Sequence, residues 1–228
     1  VFCTPVSQIV EGVRTAAAAC RPGTLLTDVG SVKGTICREL EQQPLPDGIE
    51  FVGSHPLAGS EKQGFEFADS ELFRGRVCVV TPTARTSPAA SARAARFWRA
   101  LESRVVEMSP QAHDHALAET SHFPHLAAAV LATTLCPEHR QFAASGFRDT
   151  TRIASGDPDL WANILLQNTP EVLASLDKYA SNLQNFRQAL ADGDATRLRR
   201  LLEIGKQCRD GLLSTGSAAG PGFSTDHA

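Results

Sequence analysis

The segment Leu25-Leu26-Thr27-Asp28-Val29-Gly30-Ser31-Val32-Lys33-Gly34 passes from a short apolar run through a polar, glycine-bearing turn into Lys33 to Gln42, where apolar residues return at three-to-four spacing. An apolar run of strand length, closed by a turn and followed by helical spacing, marks a strand that feeds a helix. Working outward, Val1 to Cys3, Glu50 to Gly53, Val77 to Thr81 and Arg104 to Met108 are further strand candidates, each bounded by Pro, Gly, Ser or Asp. Ser7 to Cys20 and Ala89 to Leu101 carry helical spacing between them. Strands alternating with helices over residues 1–108 predict an α/β layer with a largely parallel sheet.

From Gln111 onward the strand pattern stops. Ala112 to Leu135, Leu160 to Leu190 and Ala195 to Leu213 keep helical periodicity, so residues 109–213 are expected to form an all-helical domain. Pro124 should kink the first of these helices or start a new one, because it lacks a backbone donor. Residues 214–228, STGSAAGPGFSTDHA, read as a disordered tail. The opening Val1-Phe2-Cys3-Thr4-Pro5 reads as the end of a buried strand, as in a chain entered in mid-fold.

Composition narrows the function classes. With 228 residues, 42% hydrophobic and 21% charged, the chain has the make-up of a folded globular protein and not of a disordered one. A formal net charge of −3, with the arginines scattered, offers no concentrated basic surface for nucleic acid or an anionic membrane. There is no apolar run of about 18 residues and no basic-then-apolar amino end, so neither a membrane span nor a signal peptide is expected. Six cysteines without CxxC spacing read as reduced, mostly buried thiols of a cytoplasmic protein.

The densest polar cluster is Gly53-Ser54-His55-Pro56-Leu57-Ala58-Gly59-Ser60-Glu61-Lys62, read as the loop after a strand. Open α/β sheets bind ligands at the carboxyl ends of their strands, and a histidine there can act as a general base. The alternative is a loop histidine bonded only to backbone. The loop Asp28 to Gly34 has the same placement, and amides at its helix start would favour an anion or a polar cofactor. No Lys-Ser/Thr follows its glycines and no GxSxG occurs, which removes a phosphate loop of Walker type and the usual hydrolase elbow.

His113, His115, His122 and His125 suggest a metal, but His122 and His125 straddle Pro124 and no HExxH exists, so no metal is expected. In Gly146 to Ala154, Arg148 or Arg152 could clamp an acidic substrate through the planar guanidinium fork, or pair with Asp149 or Asp157 to join helices. Residue types alone leave both open.

The loops Asp28-Val29-Gly30-Ser31-Val32-Lys33, Gly53 to Lys62, Ser121-His122-Phe123-Pro124-His125 and Gly146 to Ala154, in this order and followed by Asp157-Pro158 and Trp161, closely resemble the prephenate/arogenate dehydrogenase family of tyrosine biosynthesis. The resemblance implies the later part of a Rossmann-type NAD-binding domain over 1–108, with NADP possible, and a helical domain over 109–213 that builds a homodimer. It implies oxidative decarboxylation of prephenate to 4-hydroxyphenylpyruvate, or of arogenate to tyrosine with NADP. His55 would be the catalytic histidine, with Ser31 orienting it and touching the nicotinamide end of the cofactor beside Thr4 and Pro5. Arg152 would bind a substrate carboxylate, His113 and His125 would line the pocket, and Glu61 would pair with Arg152 when the site is empty.

The family's GxGxxG turn is absent from these residues. Residues 1–228 alone are therefore expected not to hold NAD tightly. A non-catalytic, dimerising or ligand-binding role is the reading from another class.

Overall fold

The computed structural model describes residues 1–59 and 65–216. They form two compact units, one spanning Val1–Ser175 and a helical one beginning at Leu176. Glu61 and residues 217–228 of the expected tail lie outside the described residues.

In the first unit, α1 (Val6–Ala17), β1 (Leu25–Leu26), α2 (Gly34–Gln42), β2 (Glu50–Phe51), β3 (Gly53–Pro56), β4 (Val77–Thr81), α3 (Pro88–Ala100) and β5 (Arg104–Glu107) build the α/β layer. Phe2 bridges Asp28 in parallel, and β1 pairs with β2 in parallel, Leu25 opposite Glu50. The chain then runs almost without a break from β2 into β3, which pairs with β4 antiparallel, His55 opposite Val79. Beyond it, β4 and β5 are parallel, connected through α3.

The strands lie in two sheets, β1–β2 and β3–β4–β5, and the largely parallel layer that the sequence suggested carries one antiparallel pair, β3–β4. Among the described residues no α-helix separates β3 from β4, and an antiparallel return needs no crossover helix. The reading of Gly53 to Lys62 as a loop is corrected in the same place, because Gly53–Pro56 continues the strand and His55 stands on it.

Strand alternation divides the core between two faces. Leu26 and Ile49 pack with Ile9, Val13 and Ala17 of α1 and Ile36 and Leu40 of α2. Leu25 and Val29 pack instead against the group of Val52, Cys78, Val80, Ala90, Ala94 and Trp98. Each apolar stripe of α1 and α3 therefore finds a sheet face to cover.

After β5 the unit is helical: α4 (Pro110–Leu117), a widened π turn over Ala118–His122, α5 (Phe123–Thr133), α6 (Ser145–Thr151) and α7 (Pro158–Gln167), with α8 (Thr169–Ala191) leading out of it. Three helix starts share one device. Ser87, Ser109 and Asp157 each accept a backbone N–H of the first turn through the side chain, with proline next in sequence. Pro124 starts a new helix, as one of the two sequence alternatives had it, and the π turn before it swings His122 inward, where it is 1% exposed. In the second unit α8 and α9 (Ala195–Gly216) form a hairpin at Gly193, φ +65°, where Arg197 donates to Asn185. No described helix is long and apolar enough to cross a membrane.

All six cysteines are free, yet only Cys37 and Cys78 are buried. Cys3, Cys136 and Cys208 are exposed, against the expectation of mostly buried thiols. Cys208 sits on an exposed stretch of α9 and Cys136 just before a surface 3₁₀ turn. Burial pushes the two interior thiols up to about 12 and leaves them unreactive.

Candidate active site

His55 owes its place to β3 and its orientation to α4. Its Nδ1 lies 2.9 Å from Nε2 of His113, with the rings edge to face. His113 is fully buried, and its own Nδ1 lies 2.7 Å from Oδ1 of Asp114. Asp114 in turn accepts the backbone N–H groups of Lys33 and Gly34, both at 2.8 Å. This leaves Nε2 as the His55 ring nitrogen available to a ligand. It also corrects the expectation that the amides at the start of α2 await an anion, since the carboxylate of Asp114 already occupies them.

The turn between β1 and α2 is fixed from within. Asp28 Oδ2 accepts the Gly30 N–H and pairs with Lys33 Nζ, while its Oδ1 accepts the N–H of Ser54 beside His55. Asp28 and Lys33 are both 0% exposed, and a fully buried pair survives only when its remaining bonding capacity is filled. At Gly30 a Cβ would come within 2.8 Å of Ile9 Cδ1 and 2.9 Å of Asp28 Oδ2, so only glycine lets the turn close.

A cavity of about 630 Å³ opens beside His55. Ser31, His122, His125 and Arg152 share its wall with apolar Leu117, Leu160 and Ile164. His125 stacks on Trp161 at 3.6 Å and 13°. A Cβ on Gly156 would meet Trp161 Nε1 at 2.4 Å, so that residue has to be small. Arg152, at the start of a 3₁₀ turn, is exposed and forms no ion pair among the described residues. Arg148 instead donates its Nε to the Ala143 carbonyl.

The sequence candidates Ser31, His55, His125 and Arg152 are thus brought to one cavity, with His113 behind His55. Thr4 and Pro5 lie exposed at the start of α1, outside the cavity lining. Asp114, Asn168 and the Asp28–Lys33 pair were not singled out by sequence reasoning. Asn168 donates to both the Asp114 carbonyl and His122 Nδ1, at 2.8 and 3.0 Å. A histidine followed by aspartate at a helix start is the one local sign, and it is weak because adjacent helix residues do not normally face each other.

Burial holds the His55 imidazole well below its usual 6.5; a proton on His113 presses the same way, as do the Lys33 ammonium and a proton on His122. Burial also lowers His125, and takes His122 to about 4 despite the opposing pull of Asp114. A base whose folded-state value is lowered stabilises the fold above its unfolded value and loses that stabilisation as pH falls. We therefore expect stability to fall between about pH 6.5 and 4 by roughly 3 kcal/mol for His122 alone, from about 1.36 kcal/mol per unit. Urea midpoints across this range measure it, and His122→Gln should flatten the curve.

An α/β layer followed by a helical layer, with three imidazoles gathered at one cavity, makes a two-part protein with a candidate ligand site. Residues 1–107 match the model of the prephenate dehydrogenase nucleotide-binding domain, and residues 109–204 that of the prephenate dehydrogenase dimerization domain. The chain belongs to the prephenate dehydrogenase family.

It is 36% identical over 230 residues to a prephenate dehydrogenase of Bacillus subtilis, covering 98% of this chain and 62% of that protein. It is 37% identical over 202 residues to a cyclohexadienyl dehydrogenase of Zymomonas mobilis, covering 85% and 68%. Among solved structures, prephenate dehydrogenase of A. aeolicus in complex with hydroxyphenyl propionate and NAD+ superposes with a TM-score of 0.83 at 31% identity, over 92% of this chain and 74% of that one. Synechocystis arogenate dehydrogenase gives 0.81 at 31% identity, over 92% and 77%.

Proposed function

We propose that the protein catalyses the NAD-dependent oxidative decarboxylation of prephenate to 4-hydroxyphenylpyruvate, in a cytoplasmic setting suited to its free thiols. The observation that carries this reading is the His55 imidazole, held through Nδ1 and kept neutral at the wall of a cavity that contains one arginine.

Ser31 at the cavity edge and the exposed Thr4 and Pro5, at a start of α1 that no side chain caps, would hold the nicotinamide end of the cofactor. A cofactor held there would supply the acceptor for the hydride of the substrate's carbinol carbon. His55 Nε2 accepts the hydrogen bond of the ring hydroxyl and receives its proton as the ketone forms. Arg152 fixes a carboxylate by two parallel bonds. Buried Leu117 and Ile164 give that wall an apolar floor, which strengthens both interactions. Loss of the ring carboxylate as CO₂ then aromatises the ring.

Prephenate-dependent formation of NADH at saturating NAD tests the reaction, because without the GxGxxG turn residues 1–228 are expected to hold the cofactor only weakly. Titration with a 4-hydroxyphenyl carboxylic acid tests the cavity by itself. A second reading, arogenate with NADP, is favoured by Asp157, whose carboxylate lies in the same wall and suits an ammonium group. The ratio of kcat/KM for the two substrates separates them.

A homodimer accords with the helical part. Leu183, Leu190, Leu202 and Leu212 of α8 and α9 are each more than half exposed, apolar side chains that association across a two-fold axis would cover. Light scattering at micromolar concentration should give twice the chain mass.

A further inference from the structure

A base at His55 needs a lone pair on Nε2, and a neutral imidazole has one only when its hydrogen is on Nδ1. The hydrogen's position is set by what the other nitrogen bonds. Asp114 begins the chain of constraint. A carboxylate only accepts, and Oδ1 of Asp114 lies 2.7 Å from His113 Nδ1, which must therefore carry the hydrogen. Neutral His113 then presents its lone pair at Nε2. His55 Nδ1, 2.9 Å away, has to donate to it, and the lone pair of His55 is left on Nε2.

We propose that Asp114 is a positioning residue that fixes the tautomer of His55 through His113, and that it does so as a hydrogen-bond acceptor and not through its charge. The inference rests on the reading of His55 as the base. The same carboxylate receives Lys33 N and Gly34 N, so the tautomer is tied to the seating of the turn that carries Ser31. Asn168, which donates to the Asp114 carbonyl, holds the backbone of this residue in place.

Acceptor and charge make different predictions for asparagine. With its oxygen at the Oδ1 position, asparagine still accepts from both His113 Nδ1 and Lys33 N and loses only the bond to Gly34 N. Alanine loses all three.

Nitrogen-15 spectra of histidine-labelled protein without ligand read the tautomers directly, with His55 assigned by its disappearance in His55→Gln. The expected result is a hydrogen-free Nε2 on His55 in the wild type, retained in Asp114→Asn and lost in part or whole in Asp114→Ala. In turnover, Asp114→Ala should lower kcat about 10²-fold or more, the scale of general-base catalysis, with KM nearly unchanged, and Asp114→Asn should recover most of that loss.

A hydrogen on Nε2 in the wild type, as a charged His113 donating from both nitrogens would impose, overturns the proposal. So does an Asp114→Asn enzyme as slow as Asp114→Ala with the His55 tautomer unchanged, because that pattern belongs to charge. The wild-type spectrum decides even if the alanine variant fails to fold. Absence of any turnover with prephenate would sink the assigned reaction while leaving the spectra to judge Asp114.

Discussion

His55→Asn is expected to lower kcat by about 10²–10⁴-fold while leaving KM close to the wild-type value. The asparagine oxygen can still accept the hydrogen bond of the substrate's ring hydroxyl, so binding persists. It cannot take the proton, which has to leave that hydroxyl as the hydride departs. The pH profile gives an independent sign. Burial, aided by His113, Lys33 and His122, lowers the His55 value well below 6.5, so the base stays unprotonated through that pH. The acid limb of kcat/KM should accordingly fall below 6.5, and the rate should be level on the alkaline side of it. Initial rates of NADH formation in wild type and variant measure both effects. A near-normal kcat in the variant, or an acid limb above 6.5, would remove His55 from the role of base.

How much of this was legible in the sequence follows from the reach of each interaction. Apolar runs and helical spacing located β1, β2, β4 and β5, because strand alternation and helix periodicity are local properties, whereas the polar Gly53–Pro56 that forms β3 read as a loop. Pairing direction is not local. The run Val77 to Thr81 looks the same whether it lies parallel or antiparallel to its neighbour, and only the three-dimensional return of the chain after His55 decides it.

The site divides in the same way. Ser31, His55, His125 and Arg152 belong to sequence motifs whose resemblance to a known family picks them out, and they share one cavity wall. Asp114 and Asn168 act across 80 and 54 residues of chain, through the Gly34 N–H and the Asp114 carbonyl, and a helix start in the sequence says nothing of such partners. For the same reason the amides of α2 looked available to an anion that the fold supplies from α4.

Arg152→Gln is expected to raise KM by about 10- to 100-fold with a much smaller change in kcat, as for the loss of a charge-assisted bond worth roughly 1.5–3 kcal/mol. The argument is one of charge balance in the cavity. Its described walls contain three imidazoles, His55, His122 and His125, and all three are driven toward the neutral form by burial. Lys33 is close but fully buried and paired with Asp28. Arg152 is then the one fixed cation among the described lining residues, and it carries no ion pair there that a substrate would have to break. A dianionic substrate finds no second fixed cation among those residues, and Asp157 in the same wall opposes it.

Arg148, four residues earlier, makes the control. Its Nε is engaged by the Ala143 carbonyl and it does not line the cavity, so Arg148→Gln should leave KM within about two-fold, inside the range of surface substitutions. Arg152→Lys should recover only part of the loss, because an ammonium lacks the planar fork that meets both carboxylate oxygens. Calorimetric affinity for a 4-hydroxyphenyl carboxylic acid should follow the order wild type, Arg152→Lys, Arg152→Gln. An undisturbed Arg152→Gln beside a weakened Arg148→Gln would exchange the two roles, and would mean that the turn at Arg152–Ser155 moves when ligand enters.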